Sequence, residues 1–197
     1  MGYAAENTIA SFEKAFALGC DEVETDVWIA DDGRLLISHE RPGPGTTLTL
    51  EEVLDVCRGR MGVNVELKAS QSEKRAHETG AAVGRVLVER RDPDVYVSSF
   101  WWSALEGTRN TAPSVRRAFL FADSPDRPTL MEIARGMRLW ALHPNRSYVT
   151  PELVHATHSS GLKLQAWTVN EPGEIALFGE WGVDGIMSDY PDRVPKG

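Results

Sequence analysis

The residues of this chain that could do chemistry begin with two carboxylates and an imidazole in one short segment. Glu24 and Asp26 lie between Val23 and Val27 in EVETDVWI, and His39 follows Asp26 by thirteen positions. An Asp32-Gly33 pair lies midway and predicts a β-hairpin with a two-residue turn. That turn pairs residues whose numbers sum to 65, so we expect Asp26 to lie directly opposite His39.

Three carboxylates in this sequence suit a divalent cation. Side chains alternate along a strand, so Glu24 and Asp26 project from one face, and Glu66 in VNVELK is a third candidate ligand. Anions packed together need a cation or protons to offset their repulsion. Ca²⁺ or Mg²⁺ fits best, because neither Cys nor a pair of His accompanies the carboxylates. A solvated hairpin is the alternative, and it is weakened by Val23 and Val27, which interleave the acids.

Three other side chains are candidates for catalysis or substrate binding. His39, opposite Asp26, suits a general acid or base, although a lone histidine is more often structural. Lys68 follows Glu66 by two positions and could hold phosphate, with a structural salt bridge as the commoner arrangement for that pair. Trp167 in AWTVN could wall a pocket for a sugar or glycerol moiety, with an ordinary core position as an even alternative.

The composition restricts the classes of function. A net charge of -8 and the lack of a basic stripe exclude a nucleic-acid backbone binder. No apolar run reaches the roughly 18 residues of a membrane span, so we expect no stable membrane insertion. Cys20 and Cys57 form no disulfide-dense pattern, which favours buried thiols and a cytoplasmic location, unless a secretion signal precedes Met1.

Short apolar strands alternate with helical stretches along the chain. The expected helices cover residues 7–18, 72–90, 104–110, 130–135, 151–159 and 174–181. The expected strands lie around Val23, Val65, Val97, Phe119, Leu139, Ala166 and Ile186. This alternation predicts an α/β fold with a parallel sheet and outer helices. Polar residues follow the carboxyl ends of the strands, where barrel enzymes keep their sites; His143, at one such end, is more typical of a loop anchor.

Six motifs occur in order along nearly the whole chain: AENTIASFEKAFALG, EVETDVWIADDGRLLISHE, VNVELK, VSSF, AWTVN and GVDGIMSDYPD. Together they resemble the glycerophosphodiester phosphodiesterase family. The resemblance implies a TIM-type (β/α)8 barrel, a divalent cation, and hydrolysis of a small-molecule glycerophosphodiester to glycerol 3-phosphate and an alcohol. By position it implies Glu24, Asp26 and Glu66 as metal ligands, His39 as a catalytic residue, Lys68 as a phosphate contact and Glu6 as the acid of the Glu-Asn-Thr motif near the substrate.

The chain departs from the family at its beginning. Family members have a strand ending in His-Arg-Gly shortly before the Glu-Asn-Thr motif, and this sequence starts past that point. We therefore expect a single, N-terminally incomplete barrel domain over residues 1–197 that lacks its first strand and carries a β-hairpin extension at residues 22–39. One catalytic histidine and an arginine would be missing, so activity should be weak or absent. Open sheet edges near Val23 and Ile186 would favour a homo-oligomer.

Two other functions fit the same residues. The chain could be a non-catalytic relic of the barrel that binds metal or phosphodiesters. It could also be a sphingomyelinase-D-like lipid phosphodiesterase, but no apolar or basic membrane-binding segment supports that activity. The loop after His39 is shorter than is usual in the family, which predicts an open pocket and small substrates.

Overall fold

The computed structural model describes residues 2–69, 72–123 and 125–195. Within these residues the chain forms seven α-helices and eight β-strands. It divides into two compact units: the first runs from Tyr3 to Arg116, and the second starts at Arg117 and includes Gly2. A single domain over residues 1–197 stays a prediction.

The first unit contains four strands and four helices. In chain order they are α1 (Ile9–Leu18), β1 (Glu22–Ile29), β2 (Leu35–Ile37), α2 (Leu50–Cys57), β3 (Gly62–Leu67), α3 (Glu73–Arg90), β4 (Val95–Ser99) and α4 (Trp102–Thr111). Strand β1 pairs with β2 in the antiparallel sense and with β3 in the parallel sense, and β3 pairs with β4 in parallel. The hairpin predicted over residues 22–39 is therefore confirmed as β1 and β2.

The turn of this hairpin has three residues rather than two. The Ala30 N–H donates to the Arg34 carbonyl, and the last loop residue, Gly33, has a left-handed φ of 86°. Three-residue loops of this kind are the next most common hairpin connection after two-residue turns. Partner numbers along the ladder sum to 64. The predicted register is therefore wrong by one residue, and Asp26 does not lie opposite His39.

The helix ends follow signals in the sequence, although one helix escaped prediction. Thr8 caps α1 through the Ser11 N–H, and left-handed Gly19 ends the helix. Helix α2 lies just after a Gly/Pro-rich loop and was not expected. Its signal is the spacing of Thr49 and Glu52, which form a capping box at its start.

Helices α3 and α4 approach each other closely at glycines. A Cβ atom on Gly80 would lie 1.9 Å from the Ala104 carbonyl oxygen, and one on Gly107 would lie 2.2 Å from the His77 carbonyl oxygen. The Thr108 hydroxyl donates to the Gly80 carbonyl at 3.1 Å. Both helices contact the strand that precedes them, so this packing supports β3 and β4 from outside.

The second unit repeats parallel strand and helix. Its elements are β5 (Arg116–Phe121), α5 (Arg127–Gly136), β6 (Ala141–Pro144), α6 (Pro151–Ser159), β7 (Lys163–Ala166), α7 (Pro172–Glu180) and β8 (Gly185–Ile186). The strands β5, β6, β7 and β8 pair in that order, all parallel. Every strand expected from the sequence is present, and the one expected around Leu139 begins two residues later.

The second unit contains one buried histidine. His143 lies on β6 with none of its surface exposed. Burial disfavours the charged imidazolium and lowers the pKa of His143 to about 3. The ring is therefore neutral at physiological pH.

The described residues contain neither a disulfide nor a membrane-crossing helix. Cys57 is buried, which raises the pKa of its thiol to about 11, and Cys20 is half-buried rather than buried as expected. No helix in the described ranges combines the length and the apolar character needed to cross a bilayer.

The close approach of α3 and α4 predicts that Gly80→Ala destabilises the protein, because the new methyl group meets backbone that cannot move aside. We expect the free energy of unfolding in urea to fall by about 1–3 kcal/mol. The control is Gly179→Ala in α7, where an added Cβ meets nothing within 4 Å. That variant should be neutral or stabilised by up to about 1 kcal/mol. Equal stabilities of the two variants would contradict the packing described.

The buried His143 predicts a pH dependence. Between an unfolded pKa near 6.5 and a folded pKa near 3, the unfolded chain binds one more proton than the native chain. The free energy of unfolding should therefore fall as pH drops below about 6.5, with a contribution of up to about 1.4 kcal/mol per pH unit from this residue. His143→Gln should have a shallower slope in urea titrations between pH 7 and 4.5. Identical slopes would show that His143 is not held neutral.

Candidate functional site

Three carboxylates meet where β1 and β3 pair in the first unit. Glu24 and Asp26 lie on the same face of β1, and the parallel register pairs Asp26 with Glu66 of β3. One carboxylate oxygen from each residue lies within 4.8 Å of one from each of the others. The sequence prediction that Glu24, Asp26 and Glu66 come together is confirmed, and we call this group the acidic triad.

The positively charged ammonium group of Lys68 contacts the acidic triad. Its Nζ lies 2.8 Å from Glu66 Oε1 and 3.0 Å from Asp26 Oδ1. Burial alone would lower the pKa of Lys68, but the carboxylates of Glu66 and Asp26 outweigh that effect and raise it. The ammonium is therefore firmly charged and bridges two of the three acids.

One lysine does not offset the charge of the triad. Desolvation, and then the charges of Asp26 and Glu66, raise the pKa of Glu24 well above its ordinary value. Because Glu24 is exposed to solvent, we attribute the raised pKa mainly to repulsion by its charged neighbours and less to desolvation. Desolvation also raises the pKa of Glu66 against the opposing pull of Lys68. Carboxylates about 5 Å apart repel by roughly 3 kcal/mol at an effective dielectric of about 20, so the group favours a further cation or bound protons.

Buried polar atoms beside the triad are also suited to a hydrated cation. Asn64 is paired in register with Glu24, and Ser98 is paired with Glu66, so both side chains share the face of the triad. Both residues are at most 2% exposed, and among the described residues their side-chain polar atoms have no hydrogen-bond partner. Buried polar groups are nearly always bonded to protein or ordered water. The donor set and these atoms therefore fit a divalent cation and its water shell.

Asn7 is a residue of the site that the sequence analysis did not identify. Its Nδ2 donates to Asp26 Oδ2 at 2.8 Å, while its Oδ1 accepts from the Thr25 hydroxyl at 2.9 Å and from the Asp26 N–H at 3.2 Å. Asn7 has a left-handed φ of 52°. The available signal was an asparagine directly before the helix cap Thr8, because Asn tolerates this conformation better than most residues.

His39 does not take the expected position opposite Asp26. In the observed register Ser38 takes the place opposite Asp26, and the Ser38 N–H donates to the Asp26 carbonyl at 3.1 Å. The His39 side chain is 51% exposed, and its Nδ1 lies 3.4 Å from Glu40 Oε1. Its charge when protonated still acts on the Glu66 carboxylate and lowers the pKa of Glu66. A role for His39 in catalysis stays a prediction.

An open pocket of about 410 Å³ adjoins His39. Its lining comes from the segment before α1, the end of β2 and the loop that follows: Glu6, Asn7, Ile37, Ser38, His39, Glu40, Gly45, Thr46, Thr47 and Leu48. Polar groups therefore dominate a pocket of the size that a small polar molecule would need.

The two remaining candidates have different positions. Glu6 lines this pocket, and its charge contributes to the raised pKa of Glu24. Trp167 belongs to the second unit, where its indole Nε1–H donates to the His143 carbonyl at 2.8 Å. The first unit therefore joins the acidic triad to Lys68 and places Glu6 and His39 in the adjoining pocket. The catalytic and binding roles of all seven predicted residues, Trp167 included, stay predictions.

Comparison with known proteins identifies the family. The model of the glycerophosphoryl diester phosphodiesterase family matches residues 1–42 and 40–193, two segments that overlap just after His39. The chain is 29% identical over 224 residues to a glycerophosphodiester phosphodiesterase of Caldanaerobacter subterraneus subsp. tengcongensis, with 96% of this chain and 90% of that protein covered. It is also 29% identical over 236 residues to a glycerophosphodiester phosphodiesterase of Bacillus altitudinis, with 99% and 93% covered.

Solved structures agree with this assignment. A phosphodiesterase of Oleispira antarctica in complex with the product sn-glycerol-3-phosphate superposes with a TM-score of 0.87 at 27% identity, covering 98% of this chain and 91% of that one. A putative glycerophosphoryl diester phosphodiesterase of Silicibacter pomeroyi gives 0.85 at 26% identity, covering 98% and 88%. The predicted TIM-type α/β class is confirmed by these likenesses. The chain therefore belongs to the glycerophosphoryl diester phosphodiesterase family.

Proposed function

We propose that this chain hydrolyses small glycerophosphodiesters to glycerol 3-phosphate and an alcohol in a reaction that depends on a divalent cation. The observation that carries the proposal is the acidic triad with Lys68 beside a polar pocket, in a chain of this family. The product complex of the Oleispira antarctica relative supports the choice of substrate. The net charge of -8 further favours a small molecule over nucleic acid as the partner.

Glu24, Asp26 and Glu66 would hold the cation, with Ca²⁺ or Mg²⁺ the best match to an all-carboxylate set. When bound, such an ion neutralises charge on phosphoryl oxygens and lowers the pKa of water in its shell. Three carboxylate ligands leave positions for water and for substrate oxygens, because both ions take at least six oxygen ligands.

Lys68 suits a phosphate contact even while it pairs with the triad. An ammonium group has three donors, and Asp26 and Glu66 accept two of them. The third is available for a phosphoryl oxygen of the substrate. Glu6, by contrast, would repel phosphate, so its suitable role in the pocket is to accept hydrogen bonds from glycerol hydroxyls.

His39 is the candidate for proton transfer. Its Nδ1 faces Glu40, which leaves Nε2 for exchange of a proton with the attacking or leaving oxygen. The four other histidines of the chain lie on α3, β6 and α6, and none of them lines the pocket. An acid–base group of this kind contributes about 10²–10⁴-fold to the rate, so turnover should depend strongly on His39.

Direct binding measurements test the cation site. Titration calorimetry with Ca²⁺ and with Mg²⁺ should show a single site on the wild-type chain. Asp26→Asn should weaken binding more than about 10²-fold, because changes to the outer shell alone cost 10–100-fold. Glu180→Gln, an exposed acid at the end of α7, should bind as the wild type does. Equal affinity of Asp26→Asn and the wild type would rule the site out.

Turnover measurements test the reaction itself. Incubation with a glycerophosphodiester should release glycerol 3-phosphate, stop on chelation, and resume when Ca²⁺ or Mg²⁺ is restored. We expect His39→Ala to lower kcat by at least about 10²-fold. His155→Ala, on the exposed side of α6, should leave kcat unchanged. If the chain binds metal but does not hydrolyse the substrate, the proposal of an enzyme is wrong and the chain is a non-catalytic relic that binds metal. Release of free glycerol would mean that the other phosphoester bond is cleaved.

A further inference from the structure

Residues 7–26 and 170–189 of this chain have the same pattern at the same spacing. Each segment starts with Asn and ends with a hydroxyl residue followed by Asp, as Asn7 with Thr25-Asp26 and Asn170 with Ser188-Asp189. The matching elements start at equivalent positions: α1 and α7 start two positions after the Asn, and β1 and β8 start fifteen positions after it.

The same glycine position supports this correspondence. Gly19 and Gly182 occupy equivalent places after the two helices, and both have left-handed backbone, with φ of 73° and 79°. Asp21 and Asp184 then follow at equal distances before the strands. The two segments therefore share the pattern of one helix–strand unit, which occurs once in each compact unit of the chain.

The hydrogen bonds of the two asparagines are also the same. Asn170 Nδ2 donates to Asp189 Oδ2 at 2.8 Å, and its Oδ1 accepts from the Ser188 hydroxyl at 3.1 Å and from the Asp189 N–H at 2.9 Å. Asn7 makes the corresponding three bonds to Thr25 and Asp26. We call this arrangement the Asn–Asp clamp.

The surroundings of the two clamps differ in one respect that bears on function. Met187 occupies the position in the second copy that Glu24 has in the first. Within the ranges that the structure describes, Asp189 belongs to no group of three metal-ligating side chains, whereas Asp26 does. The second copy therefore shows what the clamp does at a strand end that lacks the acidic triad.

At Asp26 the clamp divides the two carboxylate oxygens between different partners. Asn7 donates a hydrogen bond to Oδ2, whereas Oδ1 forms an ion pair with Lys68 on the side of Glu66. The same asparagine holds the Asp26 N–H and the Thr25 hydroxyl, so it fixes the backbone and the side-chain torsion together. Thr8 rather than Asn7 caps α1, so helix capping does not explain the presence of Asn7.

From these contacts we infer that Asn7 is a positioning residue for cation binding: it orients the Asp26 carboxylate so that one oxygen is presented to the ion. The inference rests on the proposed cation site. It assigns to the Asn170–Asp189 copy the same effect on folding but no part in binding the ion. Outer-shell partners of metal ligands typically contribute 10–100-fold in affinity.

Two matched variants separate positioning from stability. Asn7→Gly and Asn170→Gly each remove one clamp, and glycine accepts the left-handed backbone at residue 7. Mn²⁺ and Ca²⁺ affinities are measured by calorimetry, and the unfolding temperature of each metal-free variant is measured by circular dichroism. Asn170→Gly should lower the unfolding temperature at least as much as Asn7→Gly, because only residue 7 has the left-handed backbone that favours glycine. Affinity should fall about 10–100-fold for Asn7→Gly alone.

The possible contrary outcomes are distinguishable. If the wild type binds neither ion, the cation site fails and the role of Asn7 fails with it. If the wild type binds but Asn7→Gly has wild-type affinity, or both variants lose affinity equally, only the positioning role is overturned. Should Asn7→Gly not fold, Thr25→Val removes one clamp bond with little change of shape, and Ser188→Ala is its counterpart. Unchanged affinity in Thr25→Val would then overturn the inference.

Discussion

The site depends on the parallel register between β1 and β3. That register places Asp26 beside Glu66 and Glu24 beside Asn64 on one face. A slip of one residue in either strand would turn its acidic side chains to the opposite face, because side chains alternate along a strand. The acids repel one another, so the register must be held by other contacts. Apolar residues next to the acids stabilise the register from the opposite face. Val27 and Val65, for example, have no exposed surface.

Two polar contacts partly offset the negative charge concentrated on β1 and β3. Lys68 bridges Asp26 and Glu66, and Asn7 donates to the remaining oxygen of Asp26. These two contacts do not neutralise the charge of the acidic triad, and the raised pKa values of Glu24 and Glu66 show the repulsion that remains. Natural proteins carry such local conflict mainly at functional sites, where a ligand relieves it. Asn64 and Ser98 point to the same conclusion, because their buried polar atoms have no hydrogen-bond partner in the part of the chain that the structure describes.

Much of this molecule can be predicted from local sequence signals. Apolar runs and caps located the strands and six of the helices, and alternation placed the triad on one face. The exceptions have identifiable causes. The turn around Gly33 was assigned two residues because an Asp-Gly pair fits both loop lengths. The partner of Asn7 was not predictable, because its contact with Asp26 joins residues nineteen positions apart through a tertiary fold. Only comparison with Asn170 would have indicated it.

The central claim is that Glu24, Asp26 and Glu66 form one cation site. Anomalous diffraction from a crystal grown with Mn²⁺ tests this claim most directly, because it locates the ion independently of activity. The account predicts one strong peak with carboxylate oxygens of all three residues at about 2.0–2.6 Å. A map at millimolar Mn²⁺ with no peak there, and with Lys68 still bridging Asp26 and Glu66, would contradict it.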